Sequence, residues 1–286
     1  MIVIYRTRPS NSARELVETL PNCRRALNLN RRPARSGDHL VCWGESLDPI
    51  NGVEILNGTP ILNKFTDATK LKAEGVPTVE VSRTRPQDGQ STQIPRGNYD
   101  LSLVRGLNHL TEDQARDLRD RVNVWLSTPL ATRPAQTWLP RQFNHIGGRD
   151  LLNPPRNPDY YSRKENLVEE YRIHCFKGRS IRAGRKTQGV EGVTGSHEWI
   201  RSLQAGWRIS YDGFESTKKM RKLAKDALEA LNLDFGAVDI GKTSDNKLIV
   251  LEVNRAPGLS DGTVAAYAKW IRAWAEGEIL QETAAA

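Results

Sequence analysis

Cysteine is scarce in this chain of 286 residues, and its placement excludes two classes of site. The three cysteines, Cys23, Cys42 and Cys175, are odd in number and widely spaced, and no Cys-x-x-Cys pair occurs. Neither a zinc ribbon nor a disulfide framework fits that spacing. We therefore predict three reduced thiols in a cytoplasmic protein.

Long apolar runs are also missing from the sequence. No stretch approaches the roughly 20 apolar residues that a membrane-spanning helix needs. The apolar start of the chain, Met1–Tyr5, is followed rather than preceded by basic residues. That order predicts a first β-strand instead of a secretory signal, and no membrane partner is expected.

Aromatic residues make up only 7% of the chain, whereas basic residues are abundant. Lys and Arg number 42 against 34 Asp and Glu, and the formal net charge is +8, with clusters at Arg24–Arg25, Arg31–Arg35 and Arg182–Lys186. This charge fits a solvated basic surface, an anionic substrate, nucleotide phosphates or nucleic acid. Because aromatic residues are not interleaved with the clusters, a base-stacking platform is not indicated.

The first 62 residues have the pattern of a small α/β lobe. After the strand Met1–Tyr5, apolar spacing predicts a helix over Ser12–Leu20, capped by Asn11 or Ser10. A second strand is predicted at His39–Trp43. The segment Asn51–Pro60 is interrupted by Gly and Pro, which predicts connecting loops.

Later segments predict helices and two antiparallel hairpins. Helices are expected over Thr66–Glu74, Thr111–Trp125, Thr217–Leu231 and Thr263–Glu278. The inward face of the last helix is expected to carry Ala266, Trp270, Ala273 and Trp274. One hairpin is expected to join Val168–Phe176 and Ser180–Ala183 around Lys177–Gly178. The other is expected to join Phe235–Ile240 and Lys247–Val253.

Three oxygen ligands lie within Asp234–Leu259, on the two strands of the second hairpin. Strand alternation places Glu252 and Asn254 on one side, and Leu251 and Val253 toward the core. The hairpin would bring Asp239 opposite the pair. Carboxylate and amide oxygens without nearby His or Cys favour a hard cation such as Mg²⁺. Substrate phosphates would complete the coordination shell of this cation. An ordinary solvent-facing polar row is the alternative.

This segment resembles the end of an ATP-grasp ligase. The similarity is carried by Phe235-Gly-Ala-Val-Asp239 and by Leu251-Glu-Val-Asn-Arg-Ala-Pro-Gly258. Upstream segments of the same family follow in the required order over about residues 60–270: Asn63-Lys64-Phe-Thr with Leu71–Pro77, Leu139–Gly148, and Glu170–Gly178. The variant Glu170-Tyr-Arg-Ile-His174 is most similar to short, often phage-encoded members related to ribosomal-protein and peptide ligases.

The resemblance implies an α+β fold in three parts. Residues 1–62 would form a small α/β domain, residues 63–165 the small ATP-grasp lobe with a glycine flap, and residues 166–286 the large lobe with the Mg²⁺ site. The two α+β lobes would hold ATP between them. If the chain is phage-encoded, its location would be the host cytoplasm.

The resemblance also implies roles for individual residues. Asp239, Glu252 and Asn254 fall on metal-ligand positions for two Mg²⁺ ions, and Asp239 and Glu252 would also contact the nucleotide through them. The ATP-binding positions are Lys64, Arg141, Gly147, Gly148 and Glu170, with Glu170 on the ribose hydroxyls. Arg172 and Arg185 are the expected catalytic arginines, although Arg182 and Lys186 compete with Arg185. Arg141 stands where the family has a second phosphate-binding lysine.

The expected reaction is ATP-dependent carboxylate–amine ligation through an acyl phosphate, with release of ADP and phosphate. The partners would be an amino acid and a peptide or protein end. The alternatives are a nucleic-acid-binding or nucleic-acid-modifying protein, suggested by the charge, and an ATP-binding protein that has lost turnover. The oligomeric state does not follow from the sequence.

Overall fold

The computed structural model describes residues 1–86, 138–143, 155–189, 201 and 206–278. These ranges contain 12 strands and four helices. The strands are β1 Ile2–Tyr5, β2 Cys23–Ala26, β3 His39–Cys42, β4 Glu54–Leu56, β5 Val81–Ser82, β6 Trp138–Arg141, β7 Tyr160–Arg163, β8 Leu167–Phe176, β9 Arg179–Gln188, β10 Trp207–Ser210, β11 Phe235–Thr243 and β12 Leu248–Asn254. The helices are α1 Asn11–Thr19, α2 Lys64–Ala73, α3 Lys218–Ala230 and α4 Asp261–Ala275. The helix predicted over Thr111–Trp125 lies outside the described residues.

The chain divides into two compact units. The first comprises Met1–Thr78, Leu167–Arg185 and Ile209–Ala286, and the second comprises Val79–Asn166 and Lys186–Arg208. The three-part division expected from the sequence stays a prediction.

The start of the first unit is a parallel four-stranded sheet in the order β2-β1-β3-β4. The α1 helix is capped by Ser10, one of the two predicted caps, whose hydroxyl accepts a hydrogen bond from Ala13 N at 3.2 Å. The loop prediction for Asn51–Pro60 is wrong at β4, and β2 was not predicted. Two of the four residues of β2 are arginines, and β4 has only three residues, so neither strand shows a long apolar run.

A five-stranded sheet in the order β10-β9-β8-β11-β12 lies mostly in the first unit. The β8–β9 hairpin turns at Lys177 and Gly178, with φ values of 44° and 75°. Positive φ at both central residues is the requirement of a type I′ turn, so the predicted hairpin is confirmed. One face of the sheet packs against α3, which Thr217 caps by accepting from Met220 N at 3.3 Å.

The opposite face of the sheet shares a core with the first sheet, α1 and α4. The buried apolar residues of α4 are Val264, Tyr267, Ala268, Ile271 and Trp274. The predicted inward face is confirmed for Trp274, which is buried, and for Trp270 and Ala273, which are half-buried and pack against the same core. Ala266 is half-buried, and the prediction missed Tyr267 and Ile271, which are each 0% exposed.

Asn57 fixes the loop after β4 to the start of β11. Its side chain donates to Phe235 O at 2.8 Å and accepts from Asp234 N at 2.7 Å and from Phe235 N at 3.2 Å. Its backbone has a φ of 54°, in the left-handed region that Asn tolerates better than most residues. These contacts connect the two sheets of the first unit.

The second unit contains an antiparallel sheet in the order β5-β7-β6. Phe143 stacks on Tyr160 with ring centroids 5.9 Å apart, and the guanidinium of Arg83 lies 4.7 Å from the Phe143 centroid.

Among the described residues, no helix has the length and apolarity to cross a membrane.

We expect Asn57→Ala to lower the free energy of unfolding by about 3 kcal/mol or more. The substitution leaves buried backbone groups of Asp234 and Phe235 without their hydrogen-bond partner. It also puts alanine in the left-handed region, which alanine tolerates less well than asparagine. Asn57→Gly should be about 1 kcal/mol less damaging, because glycine adopts that backbone conformation without strain. Urea unfolding of both variants measures the difference, and an alanine variant within about 0.5 kcal/mol of the wild type would contradict it.

Candidate functional site

Four charged side chains form a continuous row on one face of the five-stranded sheet, which we call the ion-pair row: Arg172, Asp239, Glu252 and Lys64. Arg172 on β8 lies opposite Asp239 on β11, which lies opposite Glu252 on β12. Directly opposed residues on neighbouring strands share a face, so the register alone aligns the first three. The structure therefore places Asp239 beside Glu252, as the sequence predicted.

Arg172 and Asp239 form a two-point ion pair. Nε of Arg172 donates to Oδ1 of Asp239 at 2.6 Å, and Nη2 donates to Oδ2 at 2.7 Å. The two side chains are 18% and 4% exposed, so the pair is largely shielded from water. Burial by itself would lower the pKa of Arg172, but the charge and hydrogen bonds of Asp239 raise it above its usual value.

Lys64 and Glu252 form the second ion pair, with Nζ 2.5 Å from Oε2. The other oxygen of Glu252, Oε1, accepts from Nδ2 of Asn254 at 2.9 Å. Burial would raise the pKa of Glu252, but the Lys64 ammonium, the Asn254 amide and the Arg172 charge together hold it below the usual range. Glu252 is therefore a carboxylate at neutral pH.

The position of Lys64 follows from how α2 is held. Asn63 caps this helix by accepting from Thr66 N at 2.9 Å, which makes Lys64 its first residue. Arg255, just beyond β12, donates to Pro60 O at 2.7 Å and lies 3.4 Å from Oδ1 of Asp67 on α2. Burial raises the pKa of Asp67 to about 6, although Arg255 opposes that shift.

A β-bulge on β12 sets the direction of the ligands. Asp239 pairs with Glu252 but Ile240 pairs with Val250, so Leu251 is the extra residue. Val250 and Val253 both contact the core against α3. The prediction that Leu251 also faces this core is wrong, because its Cδ2 lies beside Gly241, 3.1 Å from where a Cβ there would stand. Without the bulge, strict alternation from Val250 would turn Glu252 into the core.

The donor set suits a hard cation with few protein ligands. Asp239 and Glu252 supply carboxylate oxygens, and Oδ1 of Asn254 is available because Nδ2 makes the bond to Glu252. No group of three His, Cys, Asp or Glu side chains that could enclose a metal occurs among the described residues. A site of two carboxylates and one amide fits Mg²⁺ that completes its shell with phosphate oxygens and water.

The other predicted residues are placed as follows. Glu170 is buried and lies opposite Gly241, on the same face as Arg172. Arg185 is exposed, pairs across β8 with Tyr171, and has its Nη1 3.4 Å from Glu169 Oε1. Strand alternation thus puts Arg185 on the face opposite the ion-pair row, and its catalytic role stays a prediction.

The remaining nucleotide-binding predictions fall outside the first unit or outside the described ranges. Arg141 lies on β6 in the second unit, where its Nη1 is 3.4 Å from Ser162 Oγ. Gly147 and Gly148 are not among the described residues. The roles of all three stay predictions.

The residues beside Arg172 form a second polar group that the sequence did not assign to the site. His174, 0% exposed, lies 3.3 Å from the Tyr267 hydroxyl through Nδ1 and 3.0 Å from the Tyr211 hydroxyl through Nε2. Burial, together with the charges of Arg172 and Arg182, lowers the pKa of His174 to about 3. The ring is therefore neutral. Strand alternation could have indicated this group from the sequence, since it puts His174 on the same face of β8 as Arg172.

Comparison with known proteins identifies the fold. No protein-family model and no curated protein sequence matches the chain. The ATP-grasp ligase PsnB, solved with a minimal precursor, is similar over 95% of this chain and 98% of that chain, with a TM-score of 0.55 and 12% identity. The chain has the ATP-grasp fold.

D-alanine–D-alanine ligase from Bacillus anthracis shares the ATP-grasp fold with this chain. The similarity covers 100% of this chain and 99% of that chain, with a TM-score of 0.53 and 12% identity. A structure of the same ligase with ATP covers 98% of this chain and 97% of that one, at a TM-score of 0.52 and 13% identity. The α+β ATP-grasp fold expected from the motifs is thus confirmed.

Protonation of His174 should destabilise the protein in acid. Its pKa is lower in the folded state than the ordinary value of 6.5, so the unfolded chain binds more protons between about pH 6.5 and 3. Stability should therefore fall as the pH drops through that window, by about 3 kcal/mol from this residue between pH 7 and 4.

His174→Gln keeps a hydrogen-bonding side chain but cannot titrate. The difference in unfolding free energy between the wild type and this variant, measured from pH 7 to pH 4, isolates the histidine from the carboxylates. A difference that stays constant with pH would show that His174 is not held neutral by the fold.

Proposed function

We propose that this protein is an ATP-dependent carboxylate–amine ligase that releases ADP and phosphate. The observation that carries the proposal is the ion-pair row, which sets two carboxylates, a lysine and an arginine side by side on the sheet of an ATP-grasp fold. Support also comes from the solved relatives: the PsnB structure with Mg and ADP has a TM-score of 0.50, and the Bacillus anthracis ligase was solved with ATP.

Asp239, Glu252 and Asn254 would hold Mg²⁺, with two ions expected. When bound, the metal would neutralise charge on the phosphates during phosphoryl transfer. Lys64 would contact phosphate, and Glu170 would hold the ribose hydroxyls. Arg141, Gly147 and Gly148 complete the proposed nucleotide-binding residues.

The charges of the ion-pair row balance without a ligand, since two cations face two carboxylates. Under the proposal, phosphate oxygens would replace the carboxylates as partners of Arg172 and Lys64. The guanidinium of Arg172 can fork onto two oxygens, whether they belong to the transferring phosphoryl group or to the substrate carboxylate. Its hydrogen bonds to Asp239 fix its orientation before the substrate binds.

The proposed reaction has two steps. A carboxylate oxygen of the first substrate attacks the terminal phosphorus of ATP, and the bond to the ADP oxygen breaks. The amine of the second substrate then attacks the acyl carbon, phosphate leaves, and the nitrogen loses a proton. Arg172 would stabilise the negative charge on the phosphoryl and acyl oxygens in both steps.

The substrates are proposed to be an amino acid and a peptide or protein end. PsnB was solved with a precursor peptide, and the Bacillus anthracis enzyme is a ligase of D-alanine. A nucleic-acid-borne acceptor is the second candidate, favoured by the net charge of +8. The cytoplasmic location and the similarity to phage-encoded members stay predictions.

Glu252→Gln and Asn254→Ala should each reduce Mg²⁺-dependent ADP formation by about 100-fold or more, because each removes a ligand oxygen or its charge. ADP release is measured across amino acids, peptides and oligonucleotides, with mass spectrometry of the products. Glu229→Gln is the matched control, since the Glu229 side chain is exposed and pairs with Lys225 on α3.

Thermal unfolding of each variant shows whether the fold is intact. Folded variants that retain full ADP formation would exclude the assigned metal ligands. Products formed only with oligonucleotides would favour the second candidate.

A further inference from the structure

A second arginine faces the same side of the sheet as Arg172. Arg182 on β9 lies opposite His174, whereas Arg172 lies opposite Gly184. Arg182 is therefore two residues along β9 from the ion-pair row, a spacing of about 7 Å. Unlike Arg172, it makes no ion pair or hydrogen bond with any described residue, and its Nε is buried without a partner among them.

The guanidinium of Arg182 is held in place by packing. It lies 4.6 Å from the centroid of the Tyr211 ring. The Tyr211 hydroxyl is fixed in turn by His174 Nε2 at 3.0 Å. A cation held over an aromatic face keeps its outward N–H groups available for an anion.

Gly262 in the first turn of α4 permits this placement. A Cβ at that position would lie 2.3 Å from Nη1 and 2.7 Å from Nη2 of Arg182. The guanidinium thus rests against the amino end of a 15-residue helix, where a positive charge is unfavourable. An anion bound to Arg182 would relieve that repulsion, and a neutral His174 contributes no charge of either sign.

We propose that Arg182 binds the carboxylate of the amine substrate, so that the preferred acceptor is a free α-amino acid. This inference rests on the proposed ligase activity and extends it to a substrate class. In an α-amino acid the nitrogen and the carboxylate carbon are about 2.5 Å apart. With the acyl carbon near Arg172 and an attack distance of about 3 Å, the acceptor carboxylate falls within the spacing between the two arginines.

The test compares each amino acid with its carboxamide as acceptor. ADP release is measured for the twenty amino acids and, for each one that stimulates it, for the corresponding amino acid amide. The wild type should show a KM for the acid at least about 30-fold below that for the amide. Arg182→Gln should raise the KM of the acid by about 10- to 100-fold with a much smaller fall in kcat, and should leave the KM of the amide within about threefold.

Two further variants separate binding from a structural role. Gly262→Ala keeps the arginine but displaces its guanidinium, so it should raise the KM of the acid and not that of the amide. Arg179→Gln on the same strand is the matched control, since its exposed guanidinium lies over Trp270, 5.8 Å from the ring centroid. Equal losses for acid and amide in Arg182→Gln would assign the residue to packing and overturn the proposal.

Failure of this proposal can be distinguished from failure of the ligase assignment. Calorimetry of a nonhydrolysable ATP analogue with Mg²⁺ reports on nucleotide binding without any acceptor. If the analogue binds and only peptide amines or amides stimulate ADP release, the carboxylate subsite is wrong and the ligase stands. If neither nucleotide binding nor ADP formation occurs, the proposed function itself is wrong.

Discussion

The two-point pair between Arg172 and Asp239 is the interaction on which the site depends. Both groups are mostly out of water, at 18% and 4% exposure, and a buried ion pair is weak as a source of stability because desolvation cancels much of its attraction. Its value is positional: it joins β8 to β11 and orients an arginine beside the proposed metal ligands. Removing either partner would leave an uncompensated charge in the sheet.

The register of three strands extends this pair into a balanced row. Lys64 and Glu252 add a second cation and a second anion. The bulge at Leu251 keeps Glu252 and Asn254 on the face of the sheet that carries Asp239. A triphosphate with its metal would exchange partners with these groups rather than meet isolated charges. That exchange is the role in phosphoryl transfer that we propose for these residues.

Much of this arrangement was predictable from short-range patterns. Period-two alternation put Glu252 and Asn254 together, the Lys177–Gly178 turn marked a hairpin, and motif order indicated the fold. Prediction failed at two points: the bulge turned Leu251 away from the core against α3, and the buried Tyr267 of α4, which contacts His174, was missed.

The choice among the arginines shows the same limit. Arg182 and Arg185 lie three residues apart on β9, and sequence order could not tell which one shares the face of Arg172. The register of β8 with β9 decides it, since Arg182 lies opposite His174 and Arg185 opposite Tyr171. Register depends on pairing between distant strands, which composition and spacing do not record.

The most direct measurement is the anomalous scattering of Mn²⁺ in crystals grown with a nonhydrolysable ATP analogue. The account predicts a metal peak bound by Asp239, Glu252 and Asn254, with analogue phosphates completing its shell and Lys64 moved from Glu252 to phosphate. A nucleotide bound elsewhere, or a metal that does not contact Asp239 and Glu252, would contradict it.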